Sequence, residues 1–178
     1  MINAIVVYKS KYGSSEKYAR WIAERLDCKL VEGSQARIED LLSYDTIIFG
    51  AGLYACSING IGLITKNFSQ LRDKQLLVYT VGLADPEKDA QYRVVGQKNF
   101  TSEMLERIKL FHFRGAINYK ELSFIHRIMM AMMKNIVRKK KNLGQDDITF
   151  LETYGKEIDF VDQAYIEPLL SYLAEQNR

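Results

Sequence analysis

Ser10-Lys11-Tyr12-Gly13-Ser14-Ser15 places three serine hydroxyls, a cation and a glycine between an apolar run and an amphipathic stretch. Residues of these types hold an anion, because hydroxyls and the N–H groups that open a helix donate toward negative charge. Gly13 leaves out a Cβ where the backbone has to come close to a ligand. An ordinary Ser/Gly helix-capping turn uses the same residues, so this turn alone leaves both readings open.

Several phosphate chemistries are excluded by what the turn lacks. It is neither G-x-x-x-x-G-K-[ST] nor G-x-G-x-x-G, which argues against a nucleoside triphosphatase loop and a dinucleotide site. It carries no cysteine nucleophile, and no carboxylates end the preceding apolar run, which argues against a phosphatase and a phosphoacceptor site. What is left is a loop that binds a phosphate and leaves it intact.

Two further turns have suitable chemistry. "GAGLYACSING" follows the run "TIIF", with Gly50 and Gly52 keeping the strand end open and Tyr54 offering a planar face. "VGLADPEKDAQY" follows "QLLVYT" and sets Gly82, Asp85 and Pro86 in a tight connection, with Tyr92 beyond it. A flat heteroaromatic ring could lie between two such loops, held by backbone hydrogen bonds and stacked on a tyrosine. Tyr54 is the better placed for that role, and Tyr92 reads as an ordinary surface or half-buried tyrosine.

The elements that must position these turns alternate. Ile5–Tyr8 is a short continuous apolar run, as in a buried parallel strand. "SSEKYARWIAERLD" sets Tyr18, Trp21, Ile22 and Leu26 on one helical face, with Ser14 or Ser15 as the expected cap. "CKLVEG", "TIIFGAG", "QLLVYTVGL" and "FHFRGAINY" read as further strands. "GIGLITKNFSQLRD", "TSEMLERIKL" (capped by Thr101 or Ser102) and "YIEPLLSYLAEQN" read as helices, with Pro168 tolerated in a first turn. Strands separated by helices predict parallel βαβ units in one α/β domain, a doubly wound sheet spanning residues 1–178. In such sheets ligands bind beyond the carboxyl ends of the strands, where these turns lie.

The 178 residues suffice for one domain with a proper core. A net charge of +3 is too mild to imply nucleic acid, and the four basic residues Arg138 to Lys141 stand without a recognised binding motif. Cys28 and Cys56 lack C-x-x-C spacing, which fits a reducing compartment with neither a disulfide framework nor a zinc site. Two histidines are too few for a His-rich metal site; His112 on a strand and His126 on a helix are expected to be structural. No leader pattern opens the chain and no apolar run reaches a membrane-spanning length, so the expected location is cytoplasmic, with peripheral contact at the inner membrane face left open.

The stretches "YKSKYGSSEKYA", "IIFGAGLYA" and "VGLADPEK" resemble the flavodoxin superfamily over most of residues 1–120. Its phosphate loop reads roughly [ST]-x-T-G-x-T, which Ser10, Gly13 and Ser15 match, while Tyr12 replaces the customary threonine. The resemblance implies a five-stranded parallel sheet of order 2-1-3-4-5 and FMN as cofactor. It places the phosphate on Ser10, Lys11, Tyr12, Gly13, Ser14 and Ser15. The isoalloxazine ring would lie between the loops near 51–57 and 83–92, with contacts at Ala51, Gly52, Leu53, Tyr54, Gly82, Leu83, Ala84 and Asp85. Within that superfamily the "GLADPEK" turn and "FIHRIMMAMMKNIVRKKK" resemble the group that includes the menaquinone-dependent protoporphyrinogen oxidases. The chain then departs from that group's Gly-Gly and acidic/Thr signature, reading "KKKNLGQDDITF" instead.

A Met-rich basic helical segment at about 122–141 is the addition a plain flavodoxin would not need. Ile125, Ile128, Met129, Met132, Met133, Ile136 and Val137 form an apolar stripe, and Arg127, Lys134 and Arg138 to Lys141 make the rest basic. The stripe is either a core-packing face or a Met-lined surface for a quinone, a porphyrinogen or an anionic membrane. Three functions follow: an FMN oxidoreductase passing electrons to quinone, a small electron carrier exchanging with a redox partner protein, or a cofactor-free binding module of the same fold. The carriers of this family are markedly acidic, which weighs against the second.

Overall fold

The computed structural model describes residues 2–86 and 89–176. Five strands, β1 (Ala4–Lys9), β2 (Lys29–Glu32), β3 (Thr46–Tyr54), β5 (Gln75–Gly82) and β6 (Ile108–Arg114), pair in parallel in the order β2-β1-β3-β5-β6. This is the expected 2-1-3-4-5 order; the two-residue β4 (Ser57–Ile58) pairs antiparallel with the end of β3 and lies off that path. A parallel sheet is covered on both faces, and the alternation of side chains along each strand divides the core accordingly. Ile5, Val7, Ile47, Phe49, Leu76 and Val78 pack on one side, and Val6, Ile48, Leu77, Tyr79 and Val81 on the other.

The second face is covered by α1 (Ser14–Leu26) and α8 (Glu167–Gln176). Tyr18 and Ile22 of α1 and Leu169 and Leu173 of α8 are fully buried there. Tyr18 fastens this layer, since its hydroxyl donates to the Arg114 carbonyl at 2.6 Å and accepts the Asp162 N–H at 3.2 Å. The first face is covered by α2 (Ile38–Leu41), α3 (Gly62–Thr65), a 3₁₀ turn (Phe68–Leu71), α4 (Asp89–Asn99) and α5 (Ser102–Arg107).

Several boundaries differ from expectation. The pattern over 60–73 yields only α3 and the 3₁₀ turn, because Lys66 and Asn67 separate two short apolar clusters. The helix after Thr101 stops at Arg107, and Ile108–Leu110 join β6, where they pair with Leu76–Val78. Thr101 caps α5 as expected, its hydroxyl accepting the Met104 N–H at 3.3 Å. α1 begins at Ser14 with Gly13 before it, so neither Ser14 nor Ser15 is the cap.

Beyond β6 the chain forms β7 (Ala116–Asn118), α6 (Phe124–Arg138), α7 (Gln145–Thr153) and β8 (Glu157–Asp159), with β7 and β8 paired antiparallel. Among the described residues no helix is long and apolar enough to cross a membrane.

Candidate functional site at the strand ends

From β1 the chain passes to one side of the sheet and from β3 to the other, which opens a crevice beyond the carboxyl ends of these two strands. The loop 10–13 lies on one side of it and the β3–β4 hairpin on the other. Gly13 has φ of +90°, and a Cβ built on it would meet nothing within 4 Å. Its glycine is therefore required by the backbone turn into α1 and leaves open space above the helix start, which suits an anion. Ser10 Oγ accepts the Gly13 N–H at 3.1 Å and Ser14 Oγ accepts the Ala116 N–H at 3.1 Å, leaving both hydroxyl protons available for donation. Ser15 is buried, and its carbonyl accepts the Tyr79 hydroxyl at 2.8 Å.

The β3–β4 hairpin pairs Leu53 with Ile58 and Tyr54 with Ser57, and turns through Ala55 and Cys56 at φ of 48° and 63°. Two left-handed non-glycine residues store strain of about 1 kcal/mol or more each, and the surroundings have to hold them. Lys98 Nζ donates to the Ala55 carbonyl at 2.6 Å and Asn99 Nδ2 to the Cys56 carbonyl at 2.7 Å, while Asn99 Oδ1 accepts the Ile58 N–H. The end of α4 thus pins the hairpin. Ala51 is fully buried in β3, so its side chain belongs to the core. Gly50 serves the core too, because a Cβ there would lie 1.8 Å from the Tyr79 ring.

The last carbonyl of β5 and the first two of the loop after it are hydrogen-bonded. Gly82 O accepts the Gly115 N–H at 2.7 Å, Leu83 O accepts Arg114 Nε at 3.4 Å, and Ala84 O accepts the Tyr92 hydroxyl at 3.2 Å. Tyr92 belongs to α4 and is buried, stacked on His112 with ring centroids 3.5 Å apart. Burial pulls the His112 imidazole down to about 4, and the buried Thr80 hydroxyl shares a hydrogen with its Nδ1. His112 and Tyr92 therefore form a neutral brace under this loop. Asp85 lies at its end; Glu87 and Lys88 of the "GLADPEK" turn fall outside the described residues.

His126 was expected to be structural, yet the structure brings it to the crevice. The Tyr12 hydroxyl is 2.6 Å from its Nδ1 and accepts the Ser123 N–H at 3.2 Å. Lys11 Nζ donates to Ser123 Oγ at 3.3 Å. The imidazole stacks on Tyr54 at 4.6 Å with an interplanar angle of 21° and meets Tyr12 edge-on at 5.5 Å. Burial first, and then the Lys11 charge, holds His126 below its ordinary pKa; burial and then Tyr12 hold Tyr54 above its own. No sequence signal marks His126, because its contacts are with Tyr12, 114 residues away, and with Tyr54 on β3.

The stripe on α6 is not a core face. Phe124 is 77% exposed, Ile125 68% and Ile136 58%; Ile128, Met132 and Met133 are exposed as well, and only Val137 is buried. Arg127, Lys134 and Arg138, at i, i+7 and i+11, lie on the opposite side of the helix, where Arg127 donates to the Lys120 carbonyl at 2.8 Å and Lys134 Nζ sits 4.0 Å over the Tyr154 ring. Lys140 is paired with Asp147 at 2.7 Å. Beside α6, Tyr119, Lys120, Arg127 and Tyr154 line an open cavity of about 430 Å³. Among the described residues no cluster of His, Cys, Asp or Glu could hold a metal ion.

The family profile described as a flavodoxin domain matches residues 5–143. Among curated proteins none matches the chain. Among solved structures, the flavodoxin, WrbA-like protein from Agrobacterium tumefaciens is 16% identical with a TM-score of 0.44, covering 100% of both chains. Rubredoxin oxygen:oxidoreductase from Desulfovibrio gigas is 14% identical with a TM-score of 0.45, over 96% of this chain and 37% of that one. The Trp repressor binding protein from Bacillus subtilis is 14% identical with a TM-score of 0.43, over 85% and 94%.

Proposed function

The chain belongs to the flavodoxin domain family, and we propose that it binds FMN in the β1/β3 crevice and works as an oxidoreductase with a quinone as electron acceptor. The observation that carries this reading is the convergence of three segments on one end of the sheet. These are the open, positive-φ turn at Gly13 before α1, the pinned hairpin at 53–58 and the braced loop at 82–86. The residues fit the group: Ser10, Lys11 and the first N–H groups of α1 would hold the phosphate, and the hairpin with Tyr54 and the loop 82–85 would flank the ring.

Bound flavin supplies reversible two-electron chemistry that the side chains themselves lack. The protein's part is to position it, to keep water from one edge and to tune it through neighbouring dipoles. His112, held neutral, adds no charge beneath the loop 82–86. Tyr54, with its phenol protonated at neutral pH, offers a neutral stacking face.

Our substrate proposal is a porphyrinogen or a related apolar, carboxylate-bearing reductant. The "GLADPEK" and Met-rich helix resemblance supports it, as do the tyrosines and the cations Lys120 and Arg127 around the cavity beside α6. The exposed apolar face of α6, with the basic run Arg138 to Lys141 at its C-terminal end, suits the surface of an anionic membrane, where a quinone resides. The test is a visible absorption spectrum of the purified protein with added FMN, followed by anaerobic turnover of protoporphyrinogen with menaquinone. Flavin bands and quinone reduction are expected. Bands without turnover would leave an electron carrier, and no FMN binding would leave a cofactor-free module.

A further inference from the structure

We propose that His126 is a phosphate ligand of the flavin site, donating its Nε2–H to the phosphate end of the cofactor beside Lys11. The inference rests on the FMN reading above and adds to the site a residue from outside the three strand-end loops.

The first turn of α6 is fastened to the loop 10–15 by that loop's own side chains, through Lys11 to Ser123 and Tyr12 to both Ser123 and His126. The Tyr12 hydroxyl accepts the Ser123 N–H, and toward the tautomer of His126 that leaves Nδ1 bare it donates its own proton across the 2.6 Å bond. An imidazole that accepts at Nδ1 carries its hydrogen on Nε2. That Nε2–H has no hydrogen-bond partner among the described residues, although the ring is half-buried. A ring N–H without a protein partner is free to donate to a ligand oxygen.

The ring also sits between the two walls of the crevice. One contact is Tyr12 in the phosphate loop, and the other is Tyr54, whose hydroxyl end leans over the end of β3. A Cβ on Gly52 would lie 3.1 Å from the Tyr54 hydroxyl oxygen. The groups facing the imidazole are Lys11 and Tyr12 from the loop and Tyr54 from β3, with Arg127 next to it on its own helix. None of them is an anion, and Lys11 makes an uncompensated cation nearby costly for His126. A phosphate dianion beside both would offset that repulsion and accept from both.

The experiment compares dissociation constants for FMN and riboflavin in the unaltered protein, His126→Phe and Tyr12→Phe, each first confirmed as folded by its urea transition. Phenylalanine keeps the stack on Tyr54 and removes the donor. His126→Phe should weaken FMN by about 10-fold or more, the size of one charge-assisted hydrogen bond, with riboflavin unchanged. Tyr12→Phe, which frees the tautomer without removing the donor, should weaken FMN by less. The His126 ring signal, followed by NMR, should titrate at higher pH with FMN bound and not with riboflavin. Equal losses for both flavins, or unchanged FMN affinity, would overturn the assignment and leave the FMN reading standing. Failure of the unaltered protein to bind FMN would overturn both.

Discussion

Helices α1 and α6 are written alike and end up in opposite environments. Each carries apolar residues at helical spacing and polar residues elsewhere. The α1 stripe, with Tyr18 and Ile22, is buried against the sheet and bonded to β6 through the Tyr18 hydroxyl, whereas the α6 stripe faces outward along nearly its full length. Helical periodicity establishes that one face is apolar; what covers that face depends on where the chain sends the helix. α1 connects two adjacent parallel strands and has to lie on the sheet between them. α6 follows the last strand of the sheet, is held at its start by Tyr12, Lys11 and Tyr54, and meets α7.

The largest contrast is in stability. Ile22→Ala should cost about 3 kcal/mol in urea unfolding, the usual size for an emptied core position. Ile136→Ala on α6 should stay within about 0.5 kcal/mol, as for other exposed sites. Comparable losses at both positions would mean that α6 is packed after all.

The sheet side should also be the acid-sensitive one. The folded pKa of His112, about 4, lies below its ordinary value of 6.5. Between those values the unfolded chain binds more protons, so this contribution is complete above pH 6.5 and is lost as pH falls toward 4. The loss is at most about 3 kcal/mol, because each pH unit between the two values changes the balance by about 1.4 kcal/mol. Urea midpoints between pH 7 and 4 would show it, and His112→Phe, which keeps the stack with Tyr92, should flatten that part of the profile.

On the α6 side the sensitive quantity is attachment. Replacing Arg138, Lys139 and Lys141 with glutamine, and sparing the paired Lys140, should weaken binding to anionic vesicles by about 2–3 kcal/mol, near 1 kcal/mol per charge. Unfolding should be unaffected, and attachment indifferent to these charges would remove the membrane role. Back on the sheet side, Tyr18→Phe should cost about 1–2 kcal/mol in urea unfolding for the lost hydroxyl bonds to Arg114 and Asp162.

The same contrast explains what could be read in advance. The strands and the loops after β1, β3 and β5 follow from apolar runs ended by Gly- and Ser-rich turns, signals contained within a few residues, whereas the order of the sheet comes from the resemblance to the flavodoxin superfamily. The hairpin at 55–56 was hidden because Ala55 and Cys56 adopt left-handed conformations without the Asn-Gly or Asp-Gly signature, with support from Lys98 and Asn99. α4 was hidden because its sequence over 89–99 mixes charges with few apolar residues, so Tyr92 read as a surface or half-buried tyrosine. β7 and β8 are three residues each and acquire their pairing only across about 40 residues of intervening chain. His126 belongs to the same class, since its place at the crevice exists only once α6 has folded back over the loop 10–15.

The most direct test of a flavin site at the strand ends is amide chemical-shift mapping of the protein as FMN is added. We expect the largest shifts at residues 10–15, 53–58 and 82–86, with smaller ones at Ser123 and His126 and none at the exposed end of α6. Shifts confined to the cavity beside α6, or no saturable shifts at all, would contradict that site.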